Sequence, residues 1–266
     1  MKRRHFVAVL IGVAIVAAAW FWWRHASRPR EPLLLDTGMP QTCRDLDFEA
    51  VGYVVCEIDL RTHEVTLARV DAQGRPYGSV KAFVDAMAAR GTPVLLAMNA
   101  GMYHEDLSPV GLFVENGVQQ APLNLADGEG NFFLKPNGVF FTGRDGRAGV
   151  LESGAYARVN PVVTYATQSG PMLVIDGLLH PRFEENGASR YIRNGVGVRA
   201  DGTVVLAISR TVVSLGSFGR LFRDALACPN ALFLDGAVSS LSDGTRMIVG
   251  GQYPAGPILA VRKRHQ

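Results

Sequence analysis

Four times along this chain an apolar run with strand character breaks into a short polar signature containing glycine. The runs end at Met98-Asn99-Ala100-Gly101, Gln168-Ser169-Gly170-Pro171, Arg193-Asn194-Gly195 and Leu234-Asp235-Gly236-Ala237-Val238-Ser239-Ser240. Strand ends on a rigid sheet can present amides, hydroxyls and a carboxylate to a ligand, and glycine lets ligand and backbone approach closely. Taken singly, each signature also reads as an ordinary turn, since glycine beside Asn or Asp is common turn chemistry. Four in one domain predict a polar pocket for a hydroxyl-rich or phosphorylated substrate.

Strand-like segments recur between the signatures, at Tyr53 to Leu60, Val65 to Val70, Val94 to Met98, Gly111 to Val114, Phe132 to Leu134, Val139 to Phe141, Val162 to Thr167, Met172 to Ile175, Val196 to Arg199, Val204 to Ile208 and Ala231 to Leu234. Hairpin signals stand at Glu115-Asn116-Gly117, Pro136-Asn137-Gly138, Asp176-Gly177 and Asp201-Gly202. Two helices are expected. Ser79 caps one whose apolar face is Val80, Phe83, Val84 and Met87, with Gly91 as its stop, and Ser217 caps another carrying Phe218, Leu221, Phe222, Ala225 and Leu226. Each helix runs into an apolar strand and then a signature. The expected class is α+β, a mostly antiparallel or mixed sheet with two or more covering helices.

The formal charge of +3 is set by the N-terminus. Residues 1–32 carry six basic side chains against Glu31, leaving 21 basic and 23 acidic residues in the rest, which implies no basic face for nucleic acid. Lys2-Arg3-Arg4 precede an unbroken apolar run from Phe6 to Trp23, closed by Arg24. Such a helix spans about 27 Å, near the hydrocarbon thickness of a bilayer. Residues 1–24 therefore read as an uncleaved signal anchor, because the run is long and Trp20, Trp22 and Trp23 cluster where interfacial aromatics belong. A cleaved signal peptide is the rival, with Ala17-Ala18-Ala19 as its processing site. Residues 25–40, rich in Arg and Pro, read as a linker and residues 41–266 as the globular domain. With the positive-inside rule, the domain is expected outside the cytoplasm. Cys43 and Cys56 are expected to form a disulfide in such a compartment, and Cys228 to be a buried thiol.

No G-x-S-x-G elbow, P-loop, G-x-G-x-x-G or H-E-x-x-H is present, and three of the six histidines lie in the tails. The remaining chemistry is that of carboxylate, amide, arginine and serine. Here A-M-N-A-G-M-Y from Ala97, S-P-V-G-L from Ser108, G-N-F-F-L-K-P-N-G-V-F from Gly130, Q-S-G-P-M-L from Gln168, R-N-G-V-G from Arg193 and N-A-L-F-L-D-G-A-V-S-S from Asn230 resemble the phosphodiester glycosidase family over about Cys43 to Val261. G-N-F-F-L-K-P-N-G resembles a bacterial branch of it. The family often carries Asp-Gly-Gly-Gly-Ser-Ser; here Ala237 and Val238 follow Gly236, which leaves the acid and both serines in place.

The resemblance implies a hydrolase that cleaves a glycosidic bond of a sugar-1-phosphodiester or related envelope glycan, and the N-terminal anchor implies export, with the chain tethered to a bacterial inner membrane and its domain in the periplasm. A secreted or periplasmic form after signal cleavage is the alternative location. The other functional reading is a non-catalytic envelope protein that binds glycan or cell-wall polymer. Asp235, at the end of a buried strand, is the candidate general acid. Arg193 would fork onto a phosphodiester oxygen through two parallel charge-assisted bonds, and His104 would shuttle a proton. Asn99 and Asn137 would hold sugar hydroxyls or donate to an oxyanion. Ser169, Ser239 and Ser240, with the amides of Gly101, Gly170 and Gly236, would line an anion nest. A partner carboxylate is sought among Glu115, Asp127, Glu129 and Asp176, and a phosphate leaving group is good enough that one carboxylate can suffice. No metal ligand set is read and no cofactor is expected; a divalent cation beside an anionic substrate is compatible with this reading.

Overall fold

The computed structural model describes residues 40–236, 238–251 and 253–264, all within one compact unit. The proposed anchor, its rival signal peptide and nearly all of the linker lie outside the described residues. Among the described residues no helix is long and apolar enough to cross a membrane.

Seventeen strands among the described residues form three antiparallel sheets. The largest contains β1 (Cys43–Phe48), β2 (Val51–Ile58), β10 (Met172–Ile175), β11 (Leu178–Leu179), β12 (Asn194–Val198), β13 (Val204–Ser209) and β14 (Asn230–Asp235), in the order β1-β2-β13-β12-β14-β10-β11. The second places β3 (His63–Ala68), β4 (Leu96–Asn99), β15 (Leu241–Ser242), β16 (Met247–Val249) and β17 (Ile258–Lys263) in the order β16-β15-β4-β17-β3. The third contains β5 (Phe113–Glu115), β6 (Val118–Ala121), β7 (Gly138–Gly143), β8 (Ala148–Glu152) and β9 (Val163–Ser169), in the order β6-β5-β9-β7-β8.

The sheets close on one core by alternation. Val54, Cys56 and Ile58 of β2, Leu206 and Ile208 of β13, Leu232 and Leu234 of β14, Leu96 and Met98 of β4, Leu259 and Val261 of β17 and Phe140 of β7 face inward together. Their neighbours in sequence face outward and are buried again under helices. Tyr53, Val55, Val205, Ala207, Ala231 and Phe233 pack under Phe218, Leu221 and Phe222, while Ala97, Ile258 and Ala260 pack under Val80, Phe83, Val84 and Met87. Burial on both faces is why these strands read as continuous apolar runs rather than alternating ones.

The helices are α1 (Val80–Ala89), α2 (Ser153–Val159) and α3 (Leu215–Arg220), the last continuing as a π turn over Leu221–Ala225. Ser79 caps α1 through the amide of Ala82, as expected, and Gly91 adopts φ 69° just past its end. The cap of α3 is Ser214 rather than Ser217: the Ser214 hydroxyl accepts from the Ser217 amide at 3.1 Å, so the helix begins nearly a turn earlier than the sequence suggests. The unforeseen α2 is capped by Glu152, whose carboxylate takes the amides of Gly154 and Ala155. Gly195 and Gly197 let α3 and its π turn lie against β12, since side chains there would collide with Phe218, Phe222 and Cys228.

Three further expectations are corrected. Phe132 to Leu134 is a 3-10 turn over Asn131–Phe133 instead of a strand. Pro136-Asn137-Gly138 is no hairpin, because Asn137 is buried and Gly138 opens β7. Strands β1, β6, β8, β11, β15, β16 and β17 escaped the sequence reading, several being short and others half-exposed or rich in charge. Asn116-Gly117 and Asp176-Gly177 do form tight hairpins, all four residues with positive φ.

Cys43 and Cys56 are directly opposed in the β1–β2 ladder and are bridged. Strand β1 pairs only with β2, so the bridge closes a short loop that holds an edge strand. Replacing both cysteines with serine should cost about 3 kcal/mol of stability, mainly by freeing the unfolded chain. Chemical denaturation of the two proteins checks this, and alkylation without reductant should find Cys228 as the one free thiol only after unfolding. Burial holds Cys228 inert, pushing its thiol up to about 12.

Candidate functional site

The four signatures converge. Asn99 ends β4 with its side chain wholly buried, and its Oδ1 accepts from the Ser240 amide at 2.8 Å and from Asn194 Nδ2 at 3.1 Å. The same Asn194 Nδ2 reaches the Asn99 carbonyl at 2.8 Å, while Asn194 Oδ1 takes the Asp235 amide at 3.0 Å. Ser239 Oγ lies 3.2 Å from Asn194 Oδ1, 2.8 Å from the Asp235 carbonyl and 2.9 Å from that of Ile192. Three strand ends are thus tied through one amide side chain.

The fourth signature joins from β9. Ser169 Oγ donates to the Leu234 carbonyl at 2.8 Å, and the Gly101 amide donates to Thr167 Oγ1 at 3.3 Å. Gly101 is obligatory here, because a Cβ would run into the Gln168 carbonyl and Thr167 Oγ1. Gly170 meets the Phe132 carbonyl and Asn137 Cβ in the same way. Asn137 Nδ2 donates to that Phe132 carbonyl at 2.8 Å and so braces the 3-10 turn of the G-N-F-F-L-K-P-N-G motif against Gly170. The signature glycines let the segments approach one another, a use that the sequence reading had reserved for the ligand.

As placed, Ser169, Ser239 and Ser240 direct their hydroxyls at protein carbonyls, Ser240 Oγ donating to Val238 and accepting from the Gly251 amide. They position loops in this structure. Asp235 is half-buried at the edge of the cluster.

Arg193 departs most from expectation. Its side chain has no exposed surface, Nε donates to the Val213 carbonyl at 2.8 Å, and Nη2 donates to the carbonyl and hydroxyl of Ser189. A two-pronged fork onto a ligand is excluded in this arrangement, since only Nη1 remains unbonded. Neither is Arg193 a surface ion pair: it takes no acidic partner among the described residues and lies between the rings of Tyr191 and Phe233, at 5.5 and 5.1 Å. Burial pushes its guanidinium down to about 10, which leaves it charged at neutral pH. Nη1 is directed at Gly236, where a Cβ would come within 3.0 Å of it. A buried guanidinium without a counterion is costly, and the Nη1 of this one lies against the Asp235-Gly236 loop. Asn99 Nδ2, also buried, is a second donor without a partner.

His104 sits exposed in the turn 103–109, where its amide donates to the Ser108 carbonyl and Asp106 lies nearby. Its neighbour Tyr103, which the sequence reading passed over, is the titratable group that faces Asp235. The Tyr103 hydroxyl donates to the Pro254 carbonyl at 2.8 Å, and its pKa is raised, first by burial and then by the Asp235 charge. Among the suggested partner carboxylates, Asp176 sits where β14 begins, Asn230 Oδ1 taking its amide, about 17 Å or more of strand away from Asp235. Asp127 pairs with Lys135, and Glu115 accepts from Gln120. Glu129 is exposed, two residues before the turn that backs Gly170. Among the described residues no three His, Cys, Asp or Glu side chains gather as a metal ion would need.

Residues 92–256 match the model of the phosphodiester glycosidase family. The chain belongs to that family. The Escherichia coli (strain K12) protein YigE, which is uncharacterized, is 34% identical over 207 residues, covering 78% of this chain and 80% of its own length. Among solved structures, the catalytic domain of zebrafish N-acetylglucosamine-1-phosphodiester alpha-N-acetylglucosaminidase, auto-inhibited by its pro-peptide, superposes with a TM-score of 0.59 at 14% identity over 84% of this chain and 82% of that one. A hypothetical protein from Synechocystis gives a TM-score of 0.55 at 15% identity, covering 84% of this chain and 61% of its own. At these identities the structural likeness is one of fold. The fold is the β-rich, antiparallel one of this family, with three short helices, and the domain is glycosidase-like.

Proposed function

We propose that this phosphodiester glycosidase domain hydrolyses the bond between a sugar and the phosphate of a sugar-1-phosphodiester or related envelope glycan. The observation that carries this reading is the pair of unpartnered buried donors, Arg193 Nη1 and Asn99 Nδ2, on either side of the loop that bears Asp235. A site that concentrates positive charge and N–H donors beside one carboxylate suits an oxygen-rich anion.

In this reading Asp235 takes the carboxylate role that glycoside cleavage needs, either donating a proton to the departing oxygen or stabilising the oxocarbenium-like sugar. Arg193 contributes through its field from beneath Gly236 rather than by direct contact, and Asn194 fixes where Asp235 stands. Tyr103, beside Asp235 and anchored on Pro254, walls that side of the site.

The test is to incubate the full-length protein with an alkyl phosphodiester of N-acetylglucosamine and to follow phosphorus resonances. A diester signal should convert to a phosphate monoester while free sugar accumulates. Saturable binding with an unchanged diester signal would instead support the glycan-binding reading.

A further inference from the structure

All three sheets present their signatures at one end. In the largest sheet Asn194 pairs with Asp235 at that end, whereas Val198 pairs with Asn230 and Val204 with Ile58 at the other. In the second sheet Asn99 pairs with Ile258, and β17 then runs away to Lys263 opposite His63. In the third, Ser169 pairs with Gly138, and Gly143 with Val163 lies a strand length off. The domain therefore has a second pole, formed by the loops 59–63, 143–147 and 199–203 and the end of β17.

That pole holds a cleft of about 590 Å³ that includes Arg61, Arg147, Arg199 and Arg264 in its lining. Its acids are already engaged. Asp59 pairs with Arg61, Asp145 with Arg147, and Asp201 caps its own turn through the Thr203 amide. Arg199 is held by Glu57. Arg264, Lys263 and the neighbouring Arg144 have no acidic partner among the described residues, so the cleft and its rim carry excess positive charge although residues 33–266 as a whole are net acidic. An adjoining groove brings Arg144 and Arg147 together with Pro161 and Val162, the last 76% exposed. Basic side chains rimming an exposed apolar residue are what a bilayer interface favours.

Cys43 is bonded to Cys56, and the Thr42 carbonyl accepts from the Glu57 amide, so the start of β1 lies at this pole.

We propose that this arginine-lined pole is a membrane-docking face that takes anionic phospholipid headgroups, holding the candidate site at the opposite end, turned away from the bilayer. Headgroup phosphates would sit among Arg144, Arg264 and Lys263, with Val162 reaching the acyl boundary. Each such basic residue near an anionic surface contributes a modest attraction that fades within a Debye length. This inference is independent of whether the site hydrolyses or only binds its ligand.

The experiment uses full-length protein reconstituted into vesicles of phosphatidylcholine, with or without phosphatidylglycerol, and hydrogen exchange read separately at the two poles. With phosphatidylglycerol, amides in 143–147 and 199–203 should exchange severalfold more slowly than in phosphatidylcholine alone, and the protection should vanish at high salt. Amides near Gly250, at the site, should exchange at the same rate in both. A protein carrying Arg144→Gln, Lys263→Gln and Arg264→Gln should lose most of the protection while the site's exchange pattern, which reports the fold, stays as it was. Equal exchange in both vesicles would overturn the proposal. So would equal protection by soluble glycerol phosphate in detergent, which would make the cleft a site for a free anion.

Discussion

Asp235→Asn should leave a folded protein that binds a sugar phosphodiester and scarcely turns it over. The change preserves shape, and the two backbone bonds that place residue 235, its amide on Asn194 Oδ1 and its carbonyl near Ser239 Oγ, do not involve the carboxylate. Losing the group that moves a proton or stabilises the sugar cation should lower kcat by about 10³-fold, within the range for general acid-base groups. The dissociation constant should change little, because the donors that would attract the phosphate remain. Steady-state kinetics, binding by calorimetry and a melting curve on the same preparation separate these effects. Retained turnover would move catalysis away from Asp235, and Glu129, on the segment reaching Gly170, would be the next acid to test.

Asn194→Ala should cost as much stability as losing the disulfide. One buried amide serves the Asn99 carbonyl and Oδ1, the Asp235 amide and the Ser239 hydroxyl. Removing it strands at least the Asn99 carbonyl and the Asp235 N–H, each costing about 1–3 kcal/mol when buried without a partner. The total is about 3 kcal/mol, or a fall of roughly 10 °C in Tm for a domain of this size. Activity should fall beyond what unfolding explains, since the Asp235 loop loses its tie to β4. Denaturant titration with kinetics on the folded fraction would test both. A cost below about 1 kcal/mol would mean that water or neighbouring groups replace the amide.

The two predictions separate a chemical role from a positioning one, and Arg193 shows why both are needed. From sequence an arginine before Asn-Gly reads as a surface group free to grip an anion. In the fold its Nε and Nη2 are spent on the Val213 and Ser189 carbonyls, and only Nη1, lying against Gly236, remains unbonded. Burial decides this, and burial depends on Ser189, Tyr191, Val213 and Phe233 coming together around the guanidinium, which no local pattern encodes.

Several features were written in the sequence itself. Ser79 before Val80, Phe83, Val84 and Met87 specifies α1, because capping and apolar spacing act within a few residues. Asn116-Gly117 and Asp176-Gly177 specify hairpins, because only a few residue types adopt positive φ cheaply. The ordered motifs around Asn99, Ser169, Arg193 and Asp235 carried the family, which the match over residues 92–256 establishes. Tertiary structure alone decided the rest. Short or half-exposed strands such as β15 and β16 form because β4 offers β15 an edge and β15 in turn offers one to β16, not because their residues demand it. Asn194, rather than the serines, became the hub of the site because three strands from two sheets end at one point, and a single side chain with both a donor and an acceptor can tie them there. Local chemistry fixes what each segment can be; which groups meet depends on how the sheets close, and that is a property of contacts far apart in the chain.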